Sequence, residues 1–434
     1  MTTKTILHRL RDYESHNVLF AEPDGSWPIV WDRAKDVTVW DVEGKKYLDL
    51  TSAFGVAAAG HANANVVKAA QKQMSRLLHA MGDVHPHVRK AELAQELSRL
   101  TFERWTLSNE KHHPSAGKTI FGNSGFEAVE AALKTAMLAT RKRGVIAFTG
   151  GYHGLGYGTL NVTHRDFFRW PFHKQIREFG EFVPFPNSRA DLKAVESIIR
   201  RFFQRKQIGA VLVEPVQARG GIFVPPAEFL PLLRQLCNES GALLILDEIY
   251  TGFGRTGKWF ACEHSGVVPD LICLGKALTG GFPLSACVGQ SELMDSAWPV
   301  SKGEAIHTST YLGHPVGCAM ALAQIKEIER LKLCEQSADL GQFLLAELQT
   351  IHSPGLKCSV RGQGLMAGLE LRLPGGSPAT TETFSIIKQM LRRGYILLPE
   401  GEHGNVISFT PPLTITKAQL AKTVKTLKEL LAKY

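Results

Sequence analysis

The sequence lacks paired or closely spaced cysteines. Its seven cysteines are an odd number, stand at least eleven residues apart and include no CxxC pair. This spacing excludes a disulfide framework and a cysteine-based metal site, and the apolar residues around several of them indicate buried free thiols. We therefore predict a cytoplasmic protein that binds no metal.

Long apolar runs and clusters of basic charge are also missing. No stretch approaches the roughly 20 apolar residues of a membrane span, and the first thirteen residues carry charges throughout, which excludes a secretory signal. The net charge of +9 comes from 50 basic and 41 acidic residues scattered along 434 positions. This pattern predicts neither a membrane nor a nucleic-acid partner, and the length allows a large domain and a smaller one.

Three short apolar runs each end in one polar residue, namely Glu214, Asp247 and Lys276. Runs of this kind are typical of buried parallel strands, whose carboxyl ends meet at the edge of the sheet where ligands bind. A carboxylate and a lysine at one edge suit a pyridine cofactor, because the acid keeps the ring nitrogen protonated and the amine forms a Schiff base. Taken singly, an aspartate here also caps helices and a lysine is also a solvated surface group.

Helices and strands alternate from about residue 65 onward, which predicts a mostly parallel, helix-covered sheet. An alternating segment with a Glu-Gly turn at residues 37–50 predicts a hairpin, and residues 364–371 form a glycine-rich strand candidate. The candidate strands of the main sheet are 118–121, 145–148, 210–213, 243–246, 271–274 and 285–288.

Residues 246–257 and 269–278 together resemble the signature of class III aminotransferases. These are pyridoxal phosphate (PLP) enzymes of the aspartate-aminotransferase fold, fold type I. The resemblance implies an α/β fold with a mostly parallel seven-stranded sheet in a large PLP-binding domain at 66–331. It further implies a smaller α+β domain, formed by an N-terminal segment at 1–65 and a C-terminal part at 332–434.

Ser124, Gly125 and Phe126 open an alanine-rich helix directly after a predicted strand. A helix begins with free backbone N–H groups and the positive end of its dipole, which favour an anion, although an ordinary capped helix has the same pattern. The resemblance implies that the PLP phosphate binds at Gly125 and Phe126. The family usually has Ser or Thr at position 126, so Phe126 offers only its N–H.

Four further residues have cofactor roles implied by the resemblance. Tyr152 stacks on the cofactor ring, although a core-packing tyrosine is an alternative, and Glu214 orders the residues around that ring. Tyr250 replaces a frequent glutamine that bonds the ring hydroxyl, and Thr310 reaches the PLP phosphate of the neighbouring subunit. The active site is then shared within a homodimer. His153 is either a hydrogen-bonding neighbour of the site or a structural residue.

The chain departs from the family where glutamate-using members bind a carboxylate. Those members carry an arginine at the position of Ser408 and often a glutamate at the position of Arg219, and the two pair when the site is empty. The two departures agree, since a glutamate at 219 would be left unpaired. We expect Arg219 to hold an anionic substrate, unless it points to solvent. Phe54 is a further substrate candidate, and Leu155 replaces the arginine of 4-aminobutyrate aminotransferases.

These residues predict a PLP-dependent aminotransferase that moves an amino group from an amine or amino acid donor to a keto acid or aldehyde acceptor through a Schiff base on Lys276. Asp247 is the second predicted catalytic residue. A racemase, epimerase or aminomutase on the same fold is an alternative, because such members also lack the clamp arginine. A catalytically silent binding or structural relative is a second alternative, opposed by the presence of Lys276, Asp247 and Glu214.

Overall fold

The computed structural model describes residues 1–107 and 116–434. In this part of the chain the strands are β1 (Trp31–Lys35), β2 (Thr38–Asp41), β3 (Lys46–Asp49), β4 (Gly117–Gly122), β5 (Gly144–Phe148), β6 (Gly180–Val183), β7 (Ile208–Val213), β8 (Leu243–Asp247), β9 (Leu271–Leu274), β10 (Ser285–Gln290), β11 (Lys357–Gln363), β12 (Met366–Arg372), β13 (Tyr395–Ile396), β14 (Leu398–Glu400) and β15 (Val406–Phe409).

The α-helices of the same residues are α1 (Thr3–Tyr13), α2 (Ser52–Gly55), α3 (Ala64–Arg76), α4 (Val88–Ser98), α5 (Arg104–Leu107), α6 (Gly125–Thr140), α7 (Asp166–Arg169), α8 (Leu192–Arg205), α9 (Phe229–Ser240), α10 (Ser291–Ala297), α11 (Pro315–Arg330), α12 (Leu333–Gln349), α13 (Thr380–Arg392) and α14 (Lys417–Leu431). A π-helical turn lies at Arg99–Glu103. Short 3₁₀ turns lie at Thr159–Asn161, Trp170–Phe172, Arg189–Asp191, Ala261–His264 and Lys276–Leu278. No helix of the described residues is long and apolar enough to cross a membrane.

The seven-stranded sheet has the order β4-β10-β9-β8-β7-β5-β6. Strands β9, β8, β7, β5 and β6 pair in parallel, and only β10 runs antiparallel to its neighbours β9 and β4. The predicted mostly parallel sheet is therefore confirmed. Strand β6 escaped prediction because it is a short edge strand whose residues are largely half-buried, so it lacks the continuous apolar run of β7.

Helix α6 packs tightly over this sheet because its inner face consists of small residues. Ala128, Ala132 and Ala136 are buried against apolar residues of the central strands. Small side chains let the helix axis approach the strands closely, and this approach fixes the position of the helix N-terminus relative to the strand ends. The core of the sheet thus sets the geometry of the edge at which the predicted site residues lie.

Two smaller sheets join distant parts of the sequence. The predicted hairpin is present as β2 and β3, and β3 also pairs in parallel with β13 from the C-terminal part. Strands β11, β12, β15 and β14 form the other small sheet in that order. The pairing of β3 with β13 supports a small domain that draws on both ends of the chain. The boundaries at 65/66 and 331/332 stay predictions, and the first falls within the opening turn of α3.

Candidate active site

Glu214, Asp247 and Lys276 meet at the carboxyl edge of the large sheet, as the strand-end pattern predicted. They end or follow β7, β8 and β9, which are adjacent and parallel, so their side chains emerge side by side. All three line one cavity of about 490 Å³. The cavity has mostly apolar walls and a small group of converging charges, as a site for a flat cofactor and a small substrate requires.

Both oxygens of the Asp247 carboxylate have defined partners. Its Oδ2 lies 2.8 Å from Nδ1 of His153, and its Oδ1 accepts a hydrogen bond of 3.1 Å from the backbone N–H of Ile249. Asp247 and His153 are both buried. The His153 ring thereby helps to hold the Asp247 carboxylate in one orientation. Sequence reasoning left this role open because the two residues are 94 positions apart.

The Glu214 carboxylate orders two loops at once. Oε1 accepts a hydrogen bond of 2.9 Å from the N–H of Tyr152, and Oε2 accepts one of 3.1 Å from the N–H of Ala218. Burial raises the pKa of Glu214 to about 7, with His153 favouring the ionised form and Asp247 opposing it. Glu214 therefore holds the backbone on either side of the cavity, and its role around a cofactor ring stays a prediction.

The surroundings of Lys276 favour the neutral form of its amine. Burial lowers the pKa of its ammonium, and the nearby carboxylates of Asp247 and Glu214 oppose this shift. A lowered pKa increases the fraction of neutral amine, which is the nucleophilic form. Its Nζ lies 4.7 Å from the centre of the Tyr250 ring. The backbone of Lys276 has φ of 43°, a left-handed conformation that costs energy in a residue other than glycine and often marks a functional site.

The start of α6 offers unmet hydrogen-bonding groups to the same cavity. Ser124, Gly125 and Phe126 line it, and the Ser124 Oγ is buried without a hydrogen-bond partner among the described residues. The N–H groups of Gly125 and Phe126, in the first turn of the helix, also have no intrahelical acceptor. A Cβ on Gly125 would lie 3.0 Å from the Ile249 side chain, which would then have to shift by a few tenths of an ångström. A phosphate would satisfy these donors, and the residues present fit one.

Tyr152 and Tyr250 form aromatic walls of the cavity. The Tyr152 ring lies under the guanidinium of Arg219, whose central carbon is 5.1 Å from the ring centre. The hydroxyl of Tyr250 lies 3.1 Å from Oγ1 of Thr410, and burial raises the pKa of this phenol to about 12. Thr410, which the sequence did not indicate, thus contacts a residue of the cavity wall without lining the cavity itself. The predicted bond from Tyr250 to a cofactor hydroxyl stays a prediction.

Four predicted site residues remain, of which two line the cavity and two do not. Arg219 and Phe54 line the cavity, so the side chain of Arg219 lies at the site. Ser408 is buried outside the cavity lining, and its hydroxyl donates to the carbonyl of Leu398 at 3.1 Å. Thr310 is exposed in a turn and does not line the cavity of its own chain. The structure therefore brings Arg219 and Phe54 to the other predicted residues, but not Ser408 or Thr310.

Two charged residues of this region were missed by sequence reasoning. Glu400, at the end of β14, lines the cavity and is only 7% exposed. Arg255 is fully buried, and one of its nitrogens donates to the carbonyls of Leu365 (3.0 Å) and Pro411 (2.6 Å). Burial lowers its pKa to about 10. Arg255 could have been identified from the sequence, because it lies within the motif at 246–257. Glu400 could not, because nothing in its local sequence distinguishes it.

Comparisons with known proteins show which family the whole chain is similar to. The model of the family "Aminotransferase class-III" matches residues 19–431. The 5-aminovalerate aminotransferase DavT of Pseudomonas aeruginosa is 37% identical over 414 residues, 93% of this chain and 93% of that protein. The putrescine aminotransferase of Pectobacterium atrosepticum is 37% identical over 412 residues, 93% of this chain and 82% of that protein.

A solved structure is similar over nearly the whole chain. It is an amine transaminase from an uncultivated Pseudomonas species in its PLP-bound form, with a TM-score of 0.85 and 29% sequence identity. The match covers 97% of this chain and 98% of that one.

Proposed function

Since the chain belongs to the class III aminotransferases and is a PLP-dependent aminotransferase, we propose that the cavity at the carboxyl edge of the large sheet is its active site. The convergence of Glu214, Asp247 and Lys276 on one cavity carries this proposal. The proposed cofactor residues are Ser124, Gly125, Phe126, Tyr152, Glu214, Asp247, Tyr250 and Lys276, with Thr310 from a neighbouring subunit.

The residues divide the work of amino transfer between binding and proton movement. PLP supplies an electron sink for the negative charge that develops when a proton leaves the carbon beside the nitrogen. Asp247 would keep the pyridine nitrogen protonated, and His153 holds the carboxylate of Asp247 in place. Nζ of Lys276 would hold the cofactor and serve as the base that moves the proton. Tyr152 would face the ring, and the start of α6 would hold the phosphate.

The substrates are an amine or amino acid donor and a keto acid or aldehyde acceptor. Two relatives named above act, by their names, on 5-aminovalerate, which carries a carboxylate, and on putrescine, which is a diamine. Arg219 in the cavity wall supports an acid as one of the two substrates here, and Phe54 supplies apolar surface beside it. Racemisation is the weaker alternative, because both relatives are named as aminotransferases.

The proposed assembly is a cytoplasmic homodimer with shared active sites. Thr310 is exposed and outside the cavity of its own chain, as a residue that acts in a neighbouring site must be. The adjacent Tyr311 and Ile306 expose large apolar side chains, which suits a surface that another subunit covers. All seven cysteines are free thiols and six are buried, which agrees with a reducing compartment.

Reduction with borohydride tests the central assignment. The treated holoenzyme should carry the cofactor on the peptide that contains Lys276, as identified by mass spectrometry. The variant Lys276→Ala should fold, take no borohydride label and lose turnover almost completely. Lys258, a solvent-exposed lysine of the same region, supplies the matched control Lys258→Ala, which should keep label and activity. A label on another lysine of the wild-type protein would contradict the assignment.

A further inference from the structure

Arg219 and Glu400 form a charged pair inside the proposed active-site cavity. Nε of Arg219 lies 4.0 Å from Oε2 of Glu400, which is close enough for attraction but too long for a hydrogen bond. Within residues 1–107 and 116–434, no other lysine or arginine nitrogen lies within 4.0 Å of this carboxylate. Nε of Arg219 is buried and has no hydrogen-bond partner in that part of the chain. The pair is therefore held by charge alone.

The backbone holds the two residues together even though their side chains are loosely paired. The carbonyl of Arg219 accepts hydrogen bonds from the N–H of Gly401 at 3.2 Å and from Nη2 of Arg165 at 2.5 Å. The loop after β7 is thereby attached to the end of β14. The guanidinium can consequently change partners by side-chain rotation, while the loop that carries it stays in place.

The pair has the opposite polarity from the one that the family resemblance describes for glutamate-using members. Glutamate-using members have an acid at position 219 and an arginine at position 408. Here the loop residue is the cation, and the acid is Glu400 on β14, the strand that pairs with the β15 residue Ser408 through Leu398. In those members the cation lies on β15, whereas here it lies on the loop after β7. The acid here lies on β14, one strand away from the position of the family's arginine.

The two side chains differ in how accessible they are to a substrate. The side chain of Arg219 is 39% exposed, whereas that of Glu400 is 7% exposed. Burial raises the pKa of Glu400, while Arg219, Arg165 and Lys276 favour its ionised form. A substrate entering the cavity therefore contacts the guanidinium of Arg219 first, and the carboxylate of Glu400 then loses its counter-ion.

We infer that Glu400 is a specificity-determining residue that competes with the carboxylate of an acid substrate for Arg219. In the absence of such a substrate, Glu400 neutralises Arg219. When an acid substrate binds, its carboxylate accepts hydrogen bonds from the guanidinium and Glu400 loses its counter-ion. An uncharged amine leaves the pair intact. This inference rests on the proposed function, because it assigns the substrate class of the same cavity.

The competition has a defined dependence on pH. Ionised Glu400 both competes for Arg219 and repels the incoming carboxylate, whereas protonated Glu400 does neither. The groups that face Glu400 are Arg219, Arg165, Lys276 and the phenol of Tyr250. Affinity for a carboxylate should therefore be highest when Glu400 is protonated and should fall as the pH rises through its raised pKa.

Binding of glutarate to the holoenzyme tests the inference. Glutarate has two carboxylates but no amine, ketone or aldehyde group, so it occupies the site without reacting. Calorimetry measures its affinity. Glu400→Gln should bind glutarate about tenfold more tightly than wild type, and Arg219→Gln about tenfold more weakly, the size expected for one charge-assisted contact. The pH dependence of wild type should be largely lost in Glu400→Gln.

Glu402→Gln is the matched control, because it removes the same charge from an exposed residue two positions away. It should leave both the affinity for glutarate and its pH dependence unchanged. Unchanged glutarate affinity in Glu400→Gln would overturn the inference, and so would a loss of affinity for the diamine putrescine, since Glu400 would then bind a substrate ammonium. Borohydride labelling of Lys276 in each variant separates this failure from failure of the proposed function.

Discussion

Replacing Asp247 by asparagine separates the electrostatic role of this residue from its role in the fold. Asparagine has nearly the same shape, and its amide oxygen can still accept the hydrogen bond from the Ile249 N–H that Oδ1 accepts at 3.1 Å. Only the charge-assisted contact with His153 is weakened. The free energy of unfolding should therefore fall by no more than about 1.5–3 kcal/mol, the range for a hydrogen bond to a charged group.

The rate of proton removal should change far more than this small change in the free energy of unfolding suggests. A neutral amide cannot hold a proton on the pyridine nitrogen, and loss of one preorganised electrostatic contact typically costs about 2.7–4 kcal/mol of transition-state stabilisation, roughly a hundred- to a thousandfold in rate. Stopped-flow absorbance of a single half-reaction with an amine donor measures proton removal directly. The assay uses protein with bound cofactor, so that weak binding is not mistaken for slow chemistry.

Asp270→Asn is the matched control for this experiment. Asp270 precedes β9 at the opposite edge of the sheet, where Oδ2 accepts hydrogen bonds from Arg234 (2.7 Å) and from the N–H of Leu244 (2.6 Å). Its substitution should lower stability and leave the single-turnover rate close to wild type. A near-normal single-turnover rate in Asp247→Asn would refute the reasoning, because the carboxylate would then be dispensable for the electron sink.

Two other substitutions probe the assembly and the fold. Mixed dimers of Lys276→Ala and Thr310→Ala chains should regain about a quarter of wild-type activity. Random pairing makes half of the dimers hybrids, and each hybrid has one intact site out of two. A fully active monomer in sedimentation would contradict a shared site. Arg255→Met should lower the free energy of unfolding by at least about 1–3 kcal/mol, because it leaves the carbonyls of Leu365 and Pro411 without their donor. An unchanged urea midpoint would show that the buried guanidinium is not stabilising.

The sequence alone was sufficient to predict that Glu214, Asp247 and Lys276 meet at one edge of the large sheet. Continuous apolar runs predict buried parallel strands, and parallel strands deliver the residues at their carboxyl ends to one edge. Glu214, Asp247 and Lys276 could be assigned in this way because their positions follow from local pattern and a general rule of topology. The hairpin of β2 and β3 was predictable for the same reason, since alternation and a turn are local signals.

Only the tertiary structure decided which side chains from distant segments meet at that edge. His153 contacts Asp247 across 94 positions, and Glu400 lies beside Arg219 because β14 ends against the loop that follows β7. Ser408, one strand further, is turned away from the cavity and bonded to Leu398. Strand pairing fixes these neighbours, and a shift of one residue in register would reverse which side chains face the cavity. Contacts of this kind have no local signature, because they arise from the packing of segments that are far apart in the sequence.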